Sequence, residues 1–231
     1  MKQACAAAAV LALAAPSAAA AQTPPATPAV TVDAKCYTPG QPINETASGF
    51  TPGSQVSETV SVLSGATPLG TLMAPLATVG ADGTFTRALD APDLMDKADR
   101  RETAVAAFAD QADPAKSAFL QWTLSRWDLD IAEWNNSAIA QPKRKMTVDA
   151  TGWTGLGPSL YAHYFRGQTK VKSVKLGALG GDCKDLKTKV RQFPFKNVKP
   201  GRWTVYFSTT AVFNKSRDAF FFYRVRVPKS G

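Results

Sequence analysis

The sequence predicts an all-β protein made of two antiparallel β-sandwiches in tandem. Three observations predict this class. Short segments that alternate apolar and polar residues recur about every ten positions, turns containing Pro-Gly or Asp-Gly separate many of them, and no long segment repeats apolar residues at helical spacing. The chain that follows its leader has about 200 residues, which suits two domains of roughly 100 residues each.

The chain begins with a segment that is typical of an export signal. Lys2 provides a positive start, an Ala-rich apolar run follows, and Ala19–Ala21 fits the small-residue pattern of a signal-peptidase site. We therefore expect residues 1–21 to be a signal peptide and residues 22–29, QTPPATPA, to be a Pro-rich spacer. No later segment has about 18 uncharged apolar residues. The sequence thus predicts a secreted, extracytoplasmic protein of the cell envelope without a transmembrane segment.

The first predicted domain, residues 30–133, contains seven strand candidates. They are AVTVDA, PINETASGF, QVSETVSVL, GTLMAPLATV, GTFTRAL, TAVAAFA and AFLQWTL. Between them, Tyr37–Gly40 and Thr51–Ser54 place Pro before Gly, which fixes one backbone angle and admits a positive φ at the next residue. Gly80–Gly83 carries the Asp-Gly pair of a tight hairpin. The segment Ala91–Arg101 could hold one helical turn.

The second predicted domain, residues 134–231, contains six strand candidates. They are KRKMTVDATGW, PSLYAHYFRG, TKVKSVKLGAL, LKTKVRQFPF, GRWTVYFSTTAVF and DAFFFYRVRV. The last alternates cleanly, which predicts that Tyr223, Val225 and Val227 point inward. In KVKSVKL the alternation slips after Ser173, which predicts a bulge or an edge strand.

Three phrases of the first domain resemble the immunoglobulin-like modules of bacterial secreted and surface proteins. Pro39-Gly40, then SGFTPGSQV at 48–56 and GADGTF at 80–85, are similar to the GF-x-PG turn and the later D-G-x-F hairpin of those modules. The resemblance covers roughly residues 30–126. It implies an immunoglobulin-like antiparallel β-sandwich with a spacer, stalk or adhesive role, and it brings no catalytic residues. The second domain resembles no family that we can name.

Charge is divided unevenly between the two predicted domains. The whole chain has a formal net charge of +9. Residues 22–133 carry 7 Lys and Arg against 14 Asp and Glu, a net charge of −7, whereas residues 134–231 carry 19 against 4, a net charge of +15. A domain so basic attracts polyanions. We expect it to bind an anionic envelope polymer or glycan, and export argues against nucleic acid as the partner.

Nine cations on the predicted strands of the second domain form the candidate polyanion site. They are Arg166, Lys170, Lys172, Lys175, Lys187, Lys189, Arg191, Arg224 and Arg226. Aromatic residues adjoin several of them, as in Tyr164–Arg166 and Phe222–Arg224, an arrangement also found where proteins bind single-stranded polyanions. Two alternatives stay open: the basic surface is only solvated, or it packs against the acidic first domain.

Two other classes of function compete with polyanion binding. A pair of carbohydrate-binding β-sandwich modules is the second hypothesis, since Trp153 in TGWTG lies near a strand break and could form a flat platform for a glycan. An unrecognised hydrolase is the third. His163, the only histidine, lies in mid-strand and lacks a catalytic motif that would supply a serine, a cysteine or an orienting carboxylate. We therefore predict a protein that is not an enzyme.

The sequence predicts neither a cofactor nor a metal site. The aspartates at positions 90, 93, 96 and 99 lack the central Gly and the terminal Glu of a calcium loop. Cys36 and Cys183 occur in no metal-binding pattern, and one histidine cannot complete a zinc site with them.

Cys36 and Cys183 are 147 positions apart, so they could be two unrelated buried thiols. The expected course of the strands favours a disulfide instead. Cys36 ends the first strand, at the end of its sandwich where the second domain attaches. Successive up and down strands of the second domain return Gly180–Asp185 to the same junction. In an oxidising compartment we expect the two thiols to join the domains. The oligomeric state stays open.

Overall fold

A computed structural model describes residues 27–135 and 139–229 of the chain. The predicted signal peptide, residues 1–21, lies outside the described residues, and so does most of the predicted spacer, residues 22–29. Ala29 is the first residue of a strand. The prediction of an all-β fold is confirmed, since the described residues form fifteen strands and a single helical turn.

Eight strands form two sheets around a first hydrophobic core. They are β1 (Ala29–Val32), β2 (Cys36–Tyr37), β3 (Pro42–Ser48), β4 (Gln55–Ser64), β5 (Thr67–Thr78), β6 (Phe85–Asp90), β7 (Arg101–Asp110) and β8 (Ser117–Ser125). One sheet has the order β1-β3-β6 and the other the order β2-β8-β7-β4-β5. Strand β2 pairs in parallel with β8, so that Cys36 lies opposite Thr123. We call these two sheets the first sandwich.

Period-2 alternation decides which residues of the first sandwich face its core. Strand β3 buries Ile43 and Ala47, and β4 buries Val56, Val60 and Val62. The same alternation carries two glutamates inward, one on each strand. Apolar strand faces that pack together account for the rest of this core.

The helical turn suggested for Ala91–Arg101 is not formed. The carboxylate of Glu102 accepts hydrogen bonds from the backbone N–H groups of Met95, at 3.0 Å, and Asp96, at 2.6 Å. These bonds give the two backbone N–H groups acceptors in a loop conformation, so a helix is not required to pair them.

Seven further strands and the helical turn form the second pair of sheets. They are β9 (Asp128–Ile131), α1 (Ala132–Asn135), β10 (Lys145–Thr151), β11 (Ser159–Arg166), β12 (Thr169–Ala178), β13 (Leu186–Arg191), β14 (Gly201–Ser208) and β15 (Phe221–Val227). The sheet orders are β13-β10-β9 and β12-β11-β14-β15. We call them the second sandwich. Strand β9 lies here because it pairs with β10, although the predicted boundary after residue 133 placed it in the first domain.

The core of the second sandwich is rich in large aromatic side chains. Trp153 and Tyr164 are fully buried, and Trp134, Trp203 and Phe207 pack in the same cluster. Strand β12 is an edge strand, which is one of the two alternatives predicted from the slipped alternation in KVKSVKL. Its two register shifts against β11 lie between residues 170 and 172 and between residues 175 and 177, not directly after Ser173. The inward positions predicted for β15 are confirmed for Val225 and Val227, which are buried.

The two sandwiches are joined by a covalent bond. Cys36 of β2 and Cys183, in the loop before β13, form a disulfide with their Cα atoms 5.1 Å apart. A close backbone approach lies beside this junction at Gly152, whose φ is +68° and where a Cβ atom would be 2.2 Å from the carbonyl oxygen of Arg126. Only glycine fits both constraints.

Candidate anion-binding site

The nine predicted cations do not form one patch. Lys187, Lys189 and Arg191 alternate with inward residues of β13 and point outward from the three-stranded sheet. Four others occupy the outer face of the four-stranded sheet, as the strand register shows; they are Lys170, Lys175, Arg224 and Arg226. Lys172 lies on the edge strand β12 itself, and Arg166 ends the neighbouring strand β11. The structure thus separates the predicted site into two opposite faces.

Two of the nine cations form an ion pair or a hydrogen bond with another described residue. Lys187 Nζ lies 3.3 Å from Asp149 Oδ2. Arg166 donates a hydrogen bond to the carbonyl oxygen of Pro200 at 3.3 Å. Neither side chain is wholly available to an external anion.

A denser group of cations surrounds the end of the second sandwich that points away from the disulfide. Two adjoining clefts of about 630 and 720 Å³ share Gln141 and Arg144 in their linings. Seven exposed cations line them: Lys143, Arg144, Lys145, Lys189, Arg191, Lys196 and Lys229. None of the seven forms an ion pair within residues 27–135 and 139–229. We call this pair of clefts the distal basic cleft.

Strand register brings part of this charge together. Lys145 lies directly opposite Arg191, and Thr147 lies opposite Lys189. Like charges in directly opposed positions destabilise a sheet. Among the described residues the lining of the cleft includes one carboxylate, that of Glu133, and its oxygens accept hydrogen bonds from Thr147, whose backbone N lies at 2.9 Å. The cleft therefore presents a concentration of positive charge that an external anion can neutralise.

Sequence reasoning found only Lys189 and Arg191 of these seven residues. The other five lie outside the segments weighed as the basic face or in connections between strands. Only the fold shows that the start of β10, the end of β13 and the end of β15 meet at one place.

At the junction, each sandwich contributes side chains whose charge is opposite in sign to its own net charge. Arg100 of the first sandwich lies 3.1 Å from Asp128 and 3.2 Å from Asp149 of the second. Arg101 contacts Asp185 in the same sense. The acidic sandwich thus supplies guanidinium groups here, and the basic sandwich supplies carboxylates. The cations of the distal basic cleft take no part in these ion pairs, which argues against the alternative that they serve packing between the domains.

His163 has hydrogen-bond partners that sequence reasoning missed. Its Nδ1 lies 2.8 Å from Ser173 Oγ, and its Nε2 lies 3.0 Å from Ser208 Oγ. Ser208 Oγ is 3.2 Å from Thr210 Oγ1, which donates to Asp218 Oδ2 at 2.7 Å. No sequence motif indicated this series of hydrogen bonds, because its members come from three separate segments of the protein.

This chain of hydrogen bonds ties the loop at 209–220 to the outer face of the four-stranded sheet. His163 is fully buried, and the ring of Phe213 stacks on it with centroids 5.0 Å apart. Burial lowers the pKa of His163 to about 4, and the positive charge of Lys170 acts in the same direction. A neutral imidazole with both nitrogens occupied suits an anchoring role. That the protein is not an enzyme stays a prediction.

The prediction of Trp153 as a glycan platform is wrong. Its side chain is fully buried, and its Nε1–H donates to the carbonyl oxygen of Asp128 at 3.1 Å. The ring packs against Trp127 and Phe221, with centroids 5.5 and 5.8 Å away. The positive φ of Gly152 turns the chain at this strand break so that the following tryptophan enters the core.

The described residues hold no group of three His, Cys, Asp or Glu side chains arranged to bind a metal ion. Within the same part of the chain, no helix combines the length and the apolar character needed to cross a membrane.

No protein-family model matches the chain, and no curated protein sequence does either. Among solved structures, 86% of the chain aligns with 16% of a Salmonella α2-macroglobulin reacted with methylamine, at 10% identity and a TM-score of 0.36. The native conformation of E. coli α2-macroglobulin aligns over 87% of the chain and 17% of its own, at 12% identity and a TM-score of 0.35.

A tetra-tandem repeat from the extending region of a large adhesion protein aligns over 88% of the chain and 50% of its own, at 16% identity and a TM-score of 0.31. The chain therefore spans half or less of each of these structures. TM-scores this low do not establish a shared fold, so the immunoglobulin-like resemblance of the first domain stays a prediction.

Proposed function

We propose that this protein is an exported, non-enzymatic interaction protein whose second sandwich binds an anionic polymer at the distal basic cleft. One observation carries the proposal: seven exposed cations surround two adjoining clefts, and the one carboxylate among the described lining residues accepts a hydrogen bond from the backbone. An elongated polyanion would neutralise several of these charges at once and release its own counterions.

The chemistry of the cleft suits phosphate, sulfate or carboxylate groups. Arginine offers a planar fork for bidentate hydrogen bonds, and lysine offers a mobile point charge. Arg144 and Arg191 lie among five lysines, so recognition rests on charge density and on few directional contacts. Such binding weakens steeply as salt rises.

The test compares two triple variants of the full chain that remove the same charge. One replaces Lys143, Arg144 and Lys229 by Ala at the distal basic cleft. The control replaces Lys170, Lys172 and Lys175 by Ala on β12. Affinity for heparin and for long-chain polyphosphate is measured between low and high salt. We expect the first variant to lose ~tenfold or more in affinity, with a shallower salt dependence, and the control to lose much less.

Each other outcome contradicts part of the proposal. Equal losses in both variants would mean that net charge alone drives binding. A larger loss in the β12 variant would move the site to the four-stranded sheet. Failure of the unmodified protein to bind either polymer at low salt would contradict polyanion binding altogether.

A further inference from the structure

Three charged side chains meet inside the first sandwich. Glu45 on β3 and Glu58 on β4 both face the core, and their side chains are at most 1% exposed. Arg87 on β6 reaches both: its Nε lies 2.6 Å from Glu45 Oε2, and its Nη2 contacts Glu58 Oε2. Its remaining Nη1 donates to the carbonyl oxygen of Pro75 at 2.6 Å, so that Arg87 bridges the two sheets.

The charges of this group do not balance. Two carboxylates face one guanidinium, and each carboxylate uses only Oε2 to bind it. The other oxygen of each, Oε1, is buried without a hydrogen-bond donor. A buried, uncompensated carboxylate is costly. A second positive charge is therefore needed: a proton shared between the two glutamates, or a cation from outside.

A cavity borders both glutamates. It has a volume of about 270 Å³ and lies between the edge strands β5 and β6. Glu45 and Glu58 line it together with apolar side chains, which include Ile43, Val60, Leu72, Met73, Leu89 and Pro92. Its volume is close to the lower end for small-molecule sites, which are roughly 300–1,000 Å³.

A second buried polar group in the lining also lacks a partner. The indole N–H of Trp122, whose side chain is 3% exposed, makes no hydrogen bond within the described residues. Buried donors without partners are rare in folded proteins, and a bound water or ligand is one explanation for them. The two unpartnered carboxylate oxygens and the unpartnered indole N–H thus belong to residues that line one largely apolar cavity.

We propose that this cavity binds a small aliphatic primary amine, whose ammonium group donates hydrogen bonds to the Oε1 atoms of Glu45 and Glu58. The alkyl chain packs against Leu72, Met73 and Leu89. The N–H of Trp122 donates a hydrogen bond to a hydroxyl or carbonyl oxygen where the ligand has one. The ammonium replaces the shared proton, so each binding event releases one proton when the pair is protonated.

This exchange makes the affinity depend on pH. Burial raises the pKa of Glu58 to about 7, the charge of Glu45 adds to the effect, and Arg87 opposes it. The other charged group of the lining is Asp90, which is exposed at the mouth of the cavity. Below pH 7 the amine competes with a bound proton, whereas above pH 7 the competition fades.

Calorimetric titration of the full chain with n-hexylamine at pH 6, 7 and 8 tests the proposal. We expect saturable binding of one amine, up to ~tenfold tighter at pH 8 than at pH 6, with proton release at pH 6 that two buffers of different ionisation enthalpy reveal. Hexanol and hexanoate of the same chain length should not bind. Nα-acetyl-lysine methylamide serves as a second probe, and it shows whether a lysine side chain can supply the same ammonium group.

Two variants and one control locate the site. Glu58→Gln should weaken hexylamine binding at least ~tenfold, since one carboxylate is lost while the shape is kept. Leu72→Phe should block binding by filling the cavity with the charges intact, and it keeps the test decisive if the first variant folds poorly. Asp93→Asn, which removes an exposed carboxylate that does not line the cavity, should change binding less than about twofold.

Three results would overturn the proposal. They are no saturable amine binding at pH 8, equal binding of hexanol, and a loss in Asp93→Asn as large as that in Glu58→Gln. The second would reduce the site to an apolar cavity, and the third would reduce it to general attraction of cations by an acidic surface.

Discussion

The two sandwiches share an alternating strand pattern but bury opposite kinds of side chain. The first places two carboxylates and a guanidinium between its sheets. The second fills the same space with tryptophan, tyrosine and phenylalanine, and its cations point outward. The acidic domain therefore keeps part of its charge inside, whereas the basic domain presents its charge to solvent. Net charge alone does not show where in a domain the charge lies.

At the junction, too, the net charge of each sandwich does not indicate which charged side chains form the contacts. Its ion pairs join Arg100 and Arg101 of the acidic sandwich to aspartates of the basic one. Each sandwich thus contributes the charged residues that are fewer in it, cations from the acidic one and carboxylates from the basic one, to the ion pairs between them. The majority charge of the second sandwich stays available at the opposite end, and this separation of roles is what the following predictions test.

The largest expected effect comes from cutting the bond between the two sandwiches. In the chain-entropy model, a disulfide that closes so long a loop stabilises by about 5 kcal/mol. Replacing both Cys36 and Cys183 by Ser should lower the free energy of unfolding by an amount approaching that value, measured by urea denaturation. Anion binding by the folded double variant should stay unchanged, because the distal basic cleft lies away from the junction. A loss of binding in the folded variant would tie the cleft to the junction.

Truncation of the aromatic core should cost nearly as much. Trp153→Ala removes a fully buried ring, and such changes cost about 3–5 kcal/mol. Phe222→Ala is the control, since Phe222 is 48% exposed, and it should cost under about 1 kcal/mol. Thermal and urea unfolding of both variants give the comparison. A loss of unfolding free energy as small as that of Phe222→Ala would contradict the full burial of Trp153.

Removing part of the buried charge cluster of the first sandwich should lower the free energy of unfolding, whereas removing the whole cluster should not. Arg87→Met leaves two carboxylates without their partner, which costs about 3–5 kcal/mol. The triple variant Glu45→Leu, Glu58→Leu, Arg87→Met should be about as stable as the unmodified protein or more stable, because apolar groups replace the whole cluster. Unfolding free energies measured at pH 7.5 distinguish the two. Equal losses in both variants would mean that the ion cluster stabilises the fold by itself.

The pH dependence of stability should have opposite signs in the two sandwiches. The pKa of Glu58, raised by burial to about 7, makes the native state hold an extra proton, so its contribution falls as pH rises from about 4.5 to 7. The pKa of His163, lowered by burial to about 4, makes its contribution fall as pH drops from about 6.5 to 4.

Two variants separate these opposing contributions. Between pH 5 and 6.5, Glu58→Gln should make stability rise more steeply with pH than in the unmodified protein. His163→Asn should make it fall with pH over the same interval. Urea denaturation across this range gives both slopes, and parallel curves for all three proteins would contradict the assigned titrations.

Local pattern predicted most strands, because each of them carries its own alternation and turn residues. The slipped alternation also predicted an edge strand at β12, although the two register shifts of this strand lie on either side of the slip. The short strand β9 was missed because Asp128–Ile131 shows too few alternations to be distinguished from a linker. Trp153 was misplaced for a different reason: its burial depends on the turn at Gly152 and on Asp128, which is 25 positions away.

The candidate site was predicted least well. Charge counting identified the correct half of the chain for a basic surface, but strand alternation distributes neighbouring lysines over different faces. The cations of the distal basic cleft come from separated segments that meet only through the order of the strands. The two inward glutamates fit the alternation of β3 and β4, yet their common partner Arg87 lies 42 and 29 positions further along the chain.

The central claim is that the second sandwich binds anionic polymers at its distal end. Amide hydrogen exchange of the full chain, with and without long-chain polyphosphate at low salt, tests it most directly. We predict slower exchange in residues 141–145, 189–198 and 225–229, no change in the first sandwich, and loss of the effect at high salt. Protection confined to residues 159–178, or to the first sandwich, would contradict the claim.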